Sequence, residues 1–220
     1  MKDHLIMLDL DGTLLDTSAL YLEGVPPILS THLGIEIRPE ELLPLWGQNA
    51  RRFFHHFATR AGRPDDALID AMYAEYERFY NQAHNILSKP YPGVMSQLPR
   101  FRECGYATAV VTTRPTSRSA PVLELPFCEW IDLFVWGDMV AASKPAPDGL
   151  VYALDHFGSQ KGVYAGDNPH DMTAAKACDR PVHSVAALWG AEEPEALRRA
   201  RPDHGFATFA AFVEWALSLA

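Results

Sequence analysis

Asp9 and Asp11 stand two residues apart at the end of a short apolar run, Leu5-Ile6-Met7-Leu8, that reads as a buried strand. In extended backbone, residues i and i+2 share a face, so the two carboxylates crowd together. One of them resists ionisation unless a cation joins them. Gly12 then supplies a sharp turn, since glycine enters positive φ without steric cost. Alone, this stretch is equally a strand-end turn with solvated caps. Three later stretches add chemistry: Thr112-Thr113-Arg114, the loop Ala141-Ala142-Ser143-Lys144-Pro145, and Asp167-Asn168-Pro169-His170-Asp171. Carboxylates at this density need a cation. An all-oxygen set without His or Cys partners favours a hard ion, with Mg²⁺ the usual choice when a phosphate completes the shell. A divalent ion, a lysine, a threonine and loop N–H groups together suit phosphoryl transfer.

The elements that must position these groups alternate in period. Residues 106–112, 131–136, 162–166 and 181–185 read as strands, and 94–104, 117–125, 148–157, 171–178 and 209–219 as helices. Such alternation implies right-handed crossovers and a parallel α/β sheet, doubly wound, covered on both faces. Ligands bind such sheets at the carboxyl ends of the strands, which is where Asp9, Asp11, Thr112, Asp167 and Asp171 fall, with Lys144 in a loop that reaches the same edge. Residues 18–88 carry helical spacing only. Leu20, Tyr21, Val25, Ile28, Leu29 and Leu33 mark one helix, interrupted by Pro26-Pro27. Phe53, Phe54 and Phe57 mark another, which Asn49 can cap, and Leu68 to Ala83 a third. The chain therefore reads as a core domain, 1–17 plus 89–220, with an all-helical insert at 18–88. Closure of the insert would place hinges near Asp16-Thr17 and Ser88 to Pro92.

Length and composition are those of a globular chain: 220 residues, 48% hydrophobic and 21% charged. A net charge of -9 with no long basic run argues against nucleic acid or an anionic membrane surface as partner. Cys104, Cys128 and Cys178 are widely spaced and odd in number, which suggests reduced thiols and a cytoplasmic location. No apolar run is long enough to span a bilayer, and no signal-peptide pattern is present.

In order, Asp9-Leu10-Asp11-Gly12-Thr13, Thr112, Lys144-Pro145 and Gly166-Asp167 with Asp171 resemble the four motifs of the haloacid dehalogenase superfamily. The resemblance covers essentially the whole chain and is strongest to the phosphoglycolate phosphatase-like branch, whose small cap domain the helical insert is similar to. It implies a Rossmann-like core and a Mg²⁺-dependent phosphatase. Asp9 would be the nucleophile forming an aspartyl-phosphate. Asp11 would protonate the leaving alkoxide and then activate water. The side chains of Asp9 and Asp167 and the backbone carbonyl of Asp11 would hold Mg²⁺. Thr112 would bond the phosphoryl group, Lys144 would neutralise charge, and Asp171 would orient Lys144 or a metal-bound water. Dehalogenases lack a carboxylate at the place of Asp11, so its presence favours phosphate ester chemistry.

Other residues carry softer signals. Thr113 and Arg114, next to Thr112, are candidates for substrate contact. In the insert, Gln48, Asn49, Arg51 and Arg52 stand where relatives carry specificity residues, and Arg51 could grip a substrate carboxylate. Helix-start arginines are more often solvated. His55-His56 and His170 lack metal-ligand spacing, Asn168 stands where many relatives carry serine, and Trp189-Gly190 reads as a packing turn. The expected activity is hydrolysis of a small phosphorylated metabolite by a monomer or homodimer. The alternatives are a sugar phosphomutase and a non-catalytic phosphate-ligand binder.

Overall fold

The computed structural model describes residues 3–42, 45 and 50–219. The chain divides into two compact units, one formed by Met1–Asp16 and Pro90–Ala220, the other by Thr17–Lys89.

The first unit is built on six parallel strands: β1 (His4–Leu8), β2 (Thr108–Val111), β3 (Leu133–Val135), β4 (Lys161–Gly166), β5 (Val182–Ala187) and β6 (His204–Phe206). Their order across the sheet is β3-β2-β1-β4-β5-β6. The chain thus starts in the middle and winds outward both ways, the doubly wound order in which sites form where the winding reverses. The register aligns Leu8 of β1 with Val110 of β2 and Ala165 of β4, so these strands end level with one another.

Both faces of β1 are buried because its residues alternate between two cores. Ile6 and Leu8 pack with Val110, Val163 and Val185. Also in that cluster are Leu98, Phe101, Phe212 and Val213, from or beside α5 (Val94–Gln97), α6 (Pro99–Glu103) and α11 (Phe209–Leu217). Leu5 and Met7 pack on the opposite face with Leu150, Ala153 and Leu154 of α8 (Asp148–Phe157) and with Ala174 and Ala175 of α9 (Pro169–Lys176). Two shorter helices, α7 (Ser119–Leu123) and α10 (Pro194–Arg199), complete this unit. The β6 strand is not apparent in the sequence. It is only three residues long, His-Gly-Phe, with a glycine at its centre, and as an edge strand it pairs with β5.

The second unit holds α1 (Ser18–Leu33), α2 (Pro39–Leu42), α3 (Ala50–Arg60) and α4 (Asp66–Leu87) around its own core, in which Phe54 meets Tyr76 edge-on at 5.9 Å. Against the expectation, α1 runs straight through Pro26-Pro27. The carbonyls deprived of donors there belong to Leu22 and Glu23, which are exposed and open to water. Gln48 and Asn49, with the expected helix cap at Asn49, lie outside the described residues.

Candidate active site

Asp9, Asp11, Thr112 and Asp167 occupy the first positions beyond strands of the first unit, Lys144 lies in the loop between β3 and α8, and Asp171 lies in α9. Asp9 follows β1, and its N–H continues the ladder by donating to Ala165 O at 2.9 Å. Leu10 N–H donates to Asp9 Oδ1 at 2.7 Å and Lys144 Nζ lies 2.8 Å from Asp9 Oδ2, so both carboxylate oxygens are held. Gly12 has φ +73°, and a Cβ there would lie 2.2 Å from Asp167 Oδ2. Only glycine lets this turn approach the end of β4. Thr13 Oγ1 donates to Asp167 Oδ1 at 3.1 Å, tying the two strand ends together, and Trp189 Nε1–H donates to Thr13 O at 2.9 Å. Trp189 thus braces the turn as well as packing on Phe209 and Phe212.

Asp171 sits in the first turn of α9, fully buried, and serves two purposes. Its Oδ2 accepts the Asn168 N–H at 2.9 Å while Asn168 Oδ1 accepts the His170 N–H at 3.0 Å, a reciprocal cap that starts the helix. Its Oδ1 accepts from Lys144 Nζ at 2.6 Å and from the Tyr164 hydroxyl at 3.0 Å. Asn168 is therefore a helix cap by its side chain, and His170 is exposed. Gly166 admits Asp171 to the end of β4, since a Cβ there would lie 2.3 Å from Asp171 Cγ.

Tyr164 belongs to this centre, although the sequence singled it out only as part of a strand. Its hydroxyl accepts from Lys144 Nζ at 2.9 Å and contacts Val111 O at 3.1 Å. The one available signal was a tyrosine inside a fully apolar strand, because a buried hydroxyl has to find a polar partner. Burial, with Asp171 and Asp9 close by, pushes its phenol well above the usual range, so it is a neutral hydroxyl.

Asp9, Asp167 and Asp171 offer carboxylate oxygens that lie within 4.8 Å of one another. Burial drives the Asp9 carboxyl up to about 7, with Lys144 opposing and Asp171 and Asp11 reinforcing the rise. Burial and the charges of Asp9 and Asp171 drive Asp167 well above the carboxylate range. Burial works against the Lys144 ammonium, but Asp171 and Asp9 outweigh it and raise its pKa. Two buried carboxylates and a half-buried one beside one ammonium leave excess negative charge, and the donors are all hard oxygens. A divalent cation fits this set: it would favour ionisation of Asp9 and Asp167 together.

Thr112 and Arg114 follow β2. Thr112 N–H donates to Val135 O at 3.0 Å, and its Oγ1 accepts the Arg114 N–H at 3.1 Å. The buried Arg114 guanidinium pairs with the Asp11 carboxylate, Nε donating to Oδ2 at 2.5 Å and Nη2 to Oδ1. Thr113 is exposed. In the helical unit, Arg51 at the start of α3 donates to Asp70 of α4 at 2.9 Å and lies 3.7 Å from Asp66, while Arg52, His55 and His56 are exposed.

Residues 6–185 match the model of the haloacid dehalogenase-like hydrolase family. A phosphoglycolate phosphatase of Xanthomonas campestris pv. campestris is 31% identical over 188 residues, covering 84% of this chain and 83% of that protein. The pyrophosphatase PpaX of Bacillus pumilus is 29% identical over 201 residues, covering 90% and 89%. A solved structure named as a predicted phosphoglycolate phosphatase from Haemophilus somnus superposes with a TM-score of 0.87 at 21% identity, covering 98% of this chain and 99% of that one, which speaks to the fold. With four motif segments converging at one sheet edge and a family match across most of its length, the chain belongs to the haloacid dehalogenase-like hydrolases.

Proposed function

We propose that this protein is a Mg²⁺-dependent phosphomonoester hydrolase that turns over small phosphorylated metabolites through an aspartyl-phosphate. The observation that carries the reading is the Asp9 carboxylate held between the Leu10 amide and the Lys144 ammonium, beside the buried Asp171 and half-buried Asp167 carboxylates. The names of the relatives, phosphoglycolate phosphatase and pyrophosphatase, point to the same chemistry.

Asp9, Asp167 and the Asp11 carbonyl are the groups that would hold the cation, which when bound offsets the repulsion between a carboxylate nucleophile and a phosphate dianion. An Asp9 oxygen forms a bond to phosphorus as the ester P–O bond breaks. The departing oxygen takes a proton from Asp11. Thr112, whose Oγ1 accepts from the Arg114 amide, keeps its own O–H to donate to a phosphoryl oxygen. Lys144, positioned by Asp171 and Tyr164, neutralises charge on the transferring group. Asp11 then accepts a proton from the water that attacks phosphorus, which breaks the Asp9–phosphate bond, releases inorganic phosphate and restores Asp9.

The test is phosphate release from phosphoglycolate, sugar phosphates, nucleotides and pyrophosphate, with Mg²⁺ and with chelator, beside Asp9→Asn. Release that chelator and the substitution both abolish is the expected result. Silence across the panel, or full activity in Asp9→Asn, overturns the proposal.

A further inference from the structure

We propose that Arg114 is the positioning residue for Asp11, holding its carboxylate in the orientation from which the leaving oxygen is protonated; this rests on the phosphatase reading above. The pairing is a fork on a fork. Nε and Nη2 of one guanidinium donate to the two oxygens of one carboxylate, which fixes the carboxylate plane as well as its place. The two partners differ in accessibility. The Arg114 side chain is 4% exposed and that of Asp11 34%, so the cation is the anchor and the carboxylate stays open to an incoming oxygen.

Arg114 is itself anchored through its backbone. Its N–H donates to Thr112 Oγ1 at 3.1 Å and its carbonyl accepts from Gly137 N–H at 2.7 Å. The turn after β2 therefore sets both the hydroxyl proposed to meet the phosphoryl group and the carboxylate proposed to meet the leaving group. The cations divide the work: Lys144 contacts Asp9 and Asp171, and Arg114 contacts Asp11. In the step it assists, the ester P–O bond breaks, the leaving oxygen keeps the electron pair, and that pair takes the proton of the Asp11 carboxyl. The carboxylate left behind is the form that the guanidinium fork binds best.

Asp11 serves both half-reactions, but kcat/KM reports only the steps through aspartyl-phosphate formation, where a proton donor matters most when the leaving oxygen leaves badly. Steady-state kinetics of the unsubstituted protein, Arg114→Gln, Asp11→Asn and the double variant, with Mg²⁺, would be compared on an alkyl ester (glycerol phosphate) and an aryl ester (p-nitrophenyl phosphate). The aryl ester releases a phenolate that is stable unprotonated. We expect Arg114→Gln to lower kcat/KM on the alkyl ester by about 100-fold, the lower range of acid–base contributions. Its aryl kcat/KM should fall far less, which also shows that the variant is folded. The double variant should be no slower than Asp11→Asn alone, because the two residues act as one unit. Arg114→Lys, which keeps the charge and loses the fork, should fall between Arg114→Gln and the unsubstituted protein.

Three results overturn the proposal while leaving the phosphatase reading intact. One is an equal rise in KM for both esters at unchanged kcat, which would make Arg114 a substrate contact. Another is an equal loss of kcat/KM on both esters at unchanged KM, and the third is additive losses of kcat/KM in the double variant. An unsubstituted protein that releases phosphate from neither these esters nor the wider panel overturns the reading itself, and this proposal with it.

Discussion

Lys144 is buried at the centre of three acceptors, and each of them depends on its charge. Asp9 at 2.8 Å, Asp171 at 2.6 Å and the Tyr164 hydroxyl at 2.9 Å fix the ammonium from different strands and one helix turn. Tyr164 contributes no charge of its own, so its effect is directional. Tyr164→Phe should keep the ring in the core and remove only the hydroxyl. It should cost about 1.5–3 kcal/mol of stability, the range for hydrogen bonds to charged groups. It should also lower kcat by roughly 10-fold, since a small misplacement of a preorganised group weakens its effect on the transition state. Thermal melts and steady-state kinetics check the two parts separately, and unchanged kcat would leave Tyr164 a packing residue. At this scale the sequence supplied residue types: acids two apart, a lysine before a proline, a threonine after an apolar run. For Tyr164 it offered only that a hydroxyl in an apolar strand needs a polar partner, and the structure shows that partner to be Lys144.

The helix α9 shows the same economy in an element. Its start is set by Asn168 accepting from the His170 amide and by Asp171 accepting from the Asn168 amide, with Pro169 in the first turn. The Asp171 carboxylate that closes this cap also receives Lys144, so helix initiation and the geometry of the ammonium are one arrangement. Asn168→Ala should destabilise the protein by about 1 kcal/mol, the usual value for a lost cap. Activity should fall as well, through Asp171, and restoring a capping side chain with Asn168→Ser should recover both. A cap loss with full activity would show that Asp171 keeps its place without it. Helix and strand existence was legible from periodicity over most of this unit. Boundaries were less so: the expected helix at 94–104 is two pieces, α5 and α6, separated at Leu98, and Pro99 opens the second. Proline accounts for that break, yet α1 continues through Pro26-Pro27, so the residue type alone does not set a helix boundary.

Over the whole molecule, the buried acid cluster links stability to pH and to metal. The folded Asp9 pKa, about 7, lies above its ordinary value, so between pH ~4 and ~7 the folded state of the metal-free protein holds a proton that the unfolded state has lost. The contribution of Asp9 to stability is present at the acid end of that window and is lost as pH rises through it. Asp167, shifted in the same direction, adds to the trend, while His4, whose pKa burial lowers, works in the opposite sense. The clean measurement is a difference. In chelator, the Tm of Asp9→Asn relative to the unsubstituted protein should rise from pH 4 to pH 7. Excess Mg²⁺ should raise the Tm of the unsubstituted protein more than that of Asp9→Asn, with about 2.7 kcal/mol available at a hundred-fold excess over Kd. A difference in Tm that does not change with pH would refute the assignment of the buried proton to Asp9. No described helix is long and apolar enough to cross a membrane, which agrees with the interrupted apolar runs of the sequence.

Periodicity by itself determined that a parallel α/β sheet would be split by a helical stretch, and the segments carrying Asp9, Asp11, Thr112, Lys144 and Asp167 resembled the motifs of the family that the chain proves to belong to. These are properties of short segments, in which backbone period and strand-end position are set by neighbours in the chain. Tertiary structure decided the pairings. Asp11 is held by Arg114 across 103 residues of sequence, Lys144 is shared among Asp9, Asp171 and Tyr164, and Trp189 braces Thr13. A single sequence does not encode these distances locally, because they exist only once β1, β2, β4 and β5 lie side by side and their ends meet.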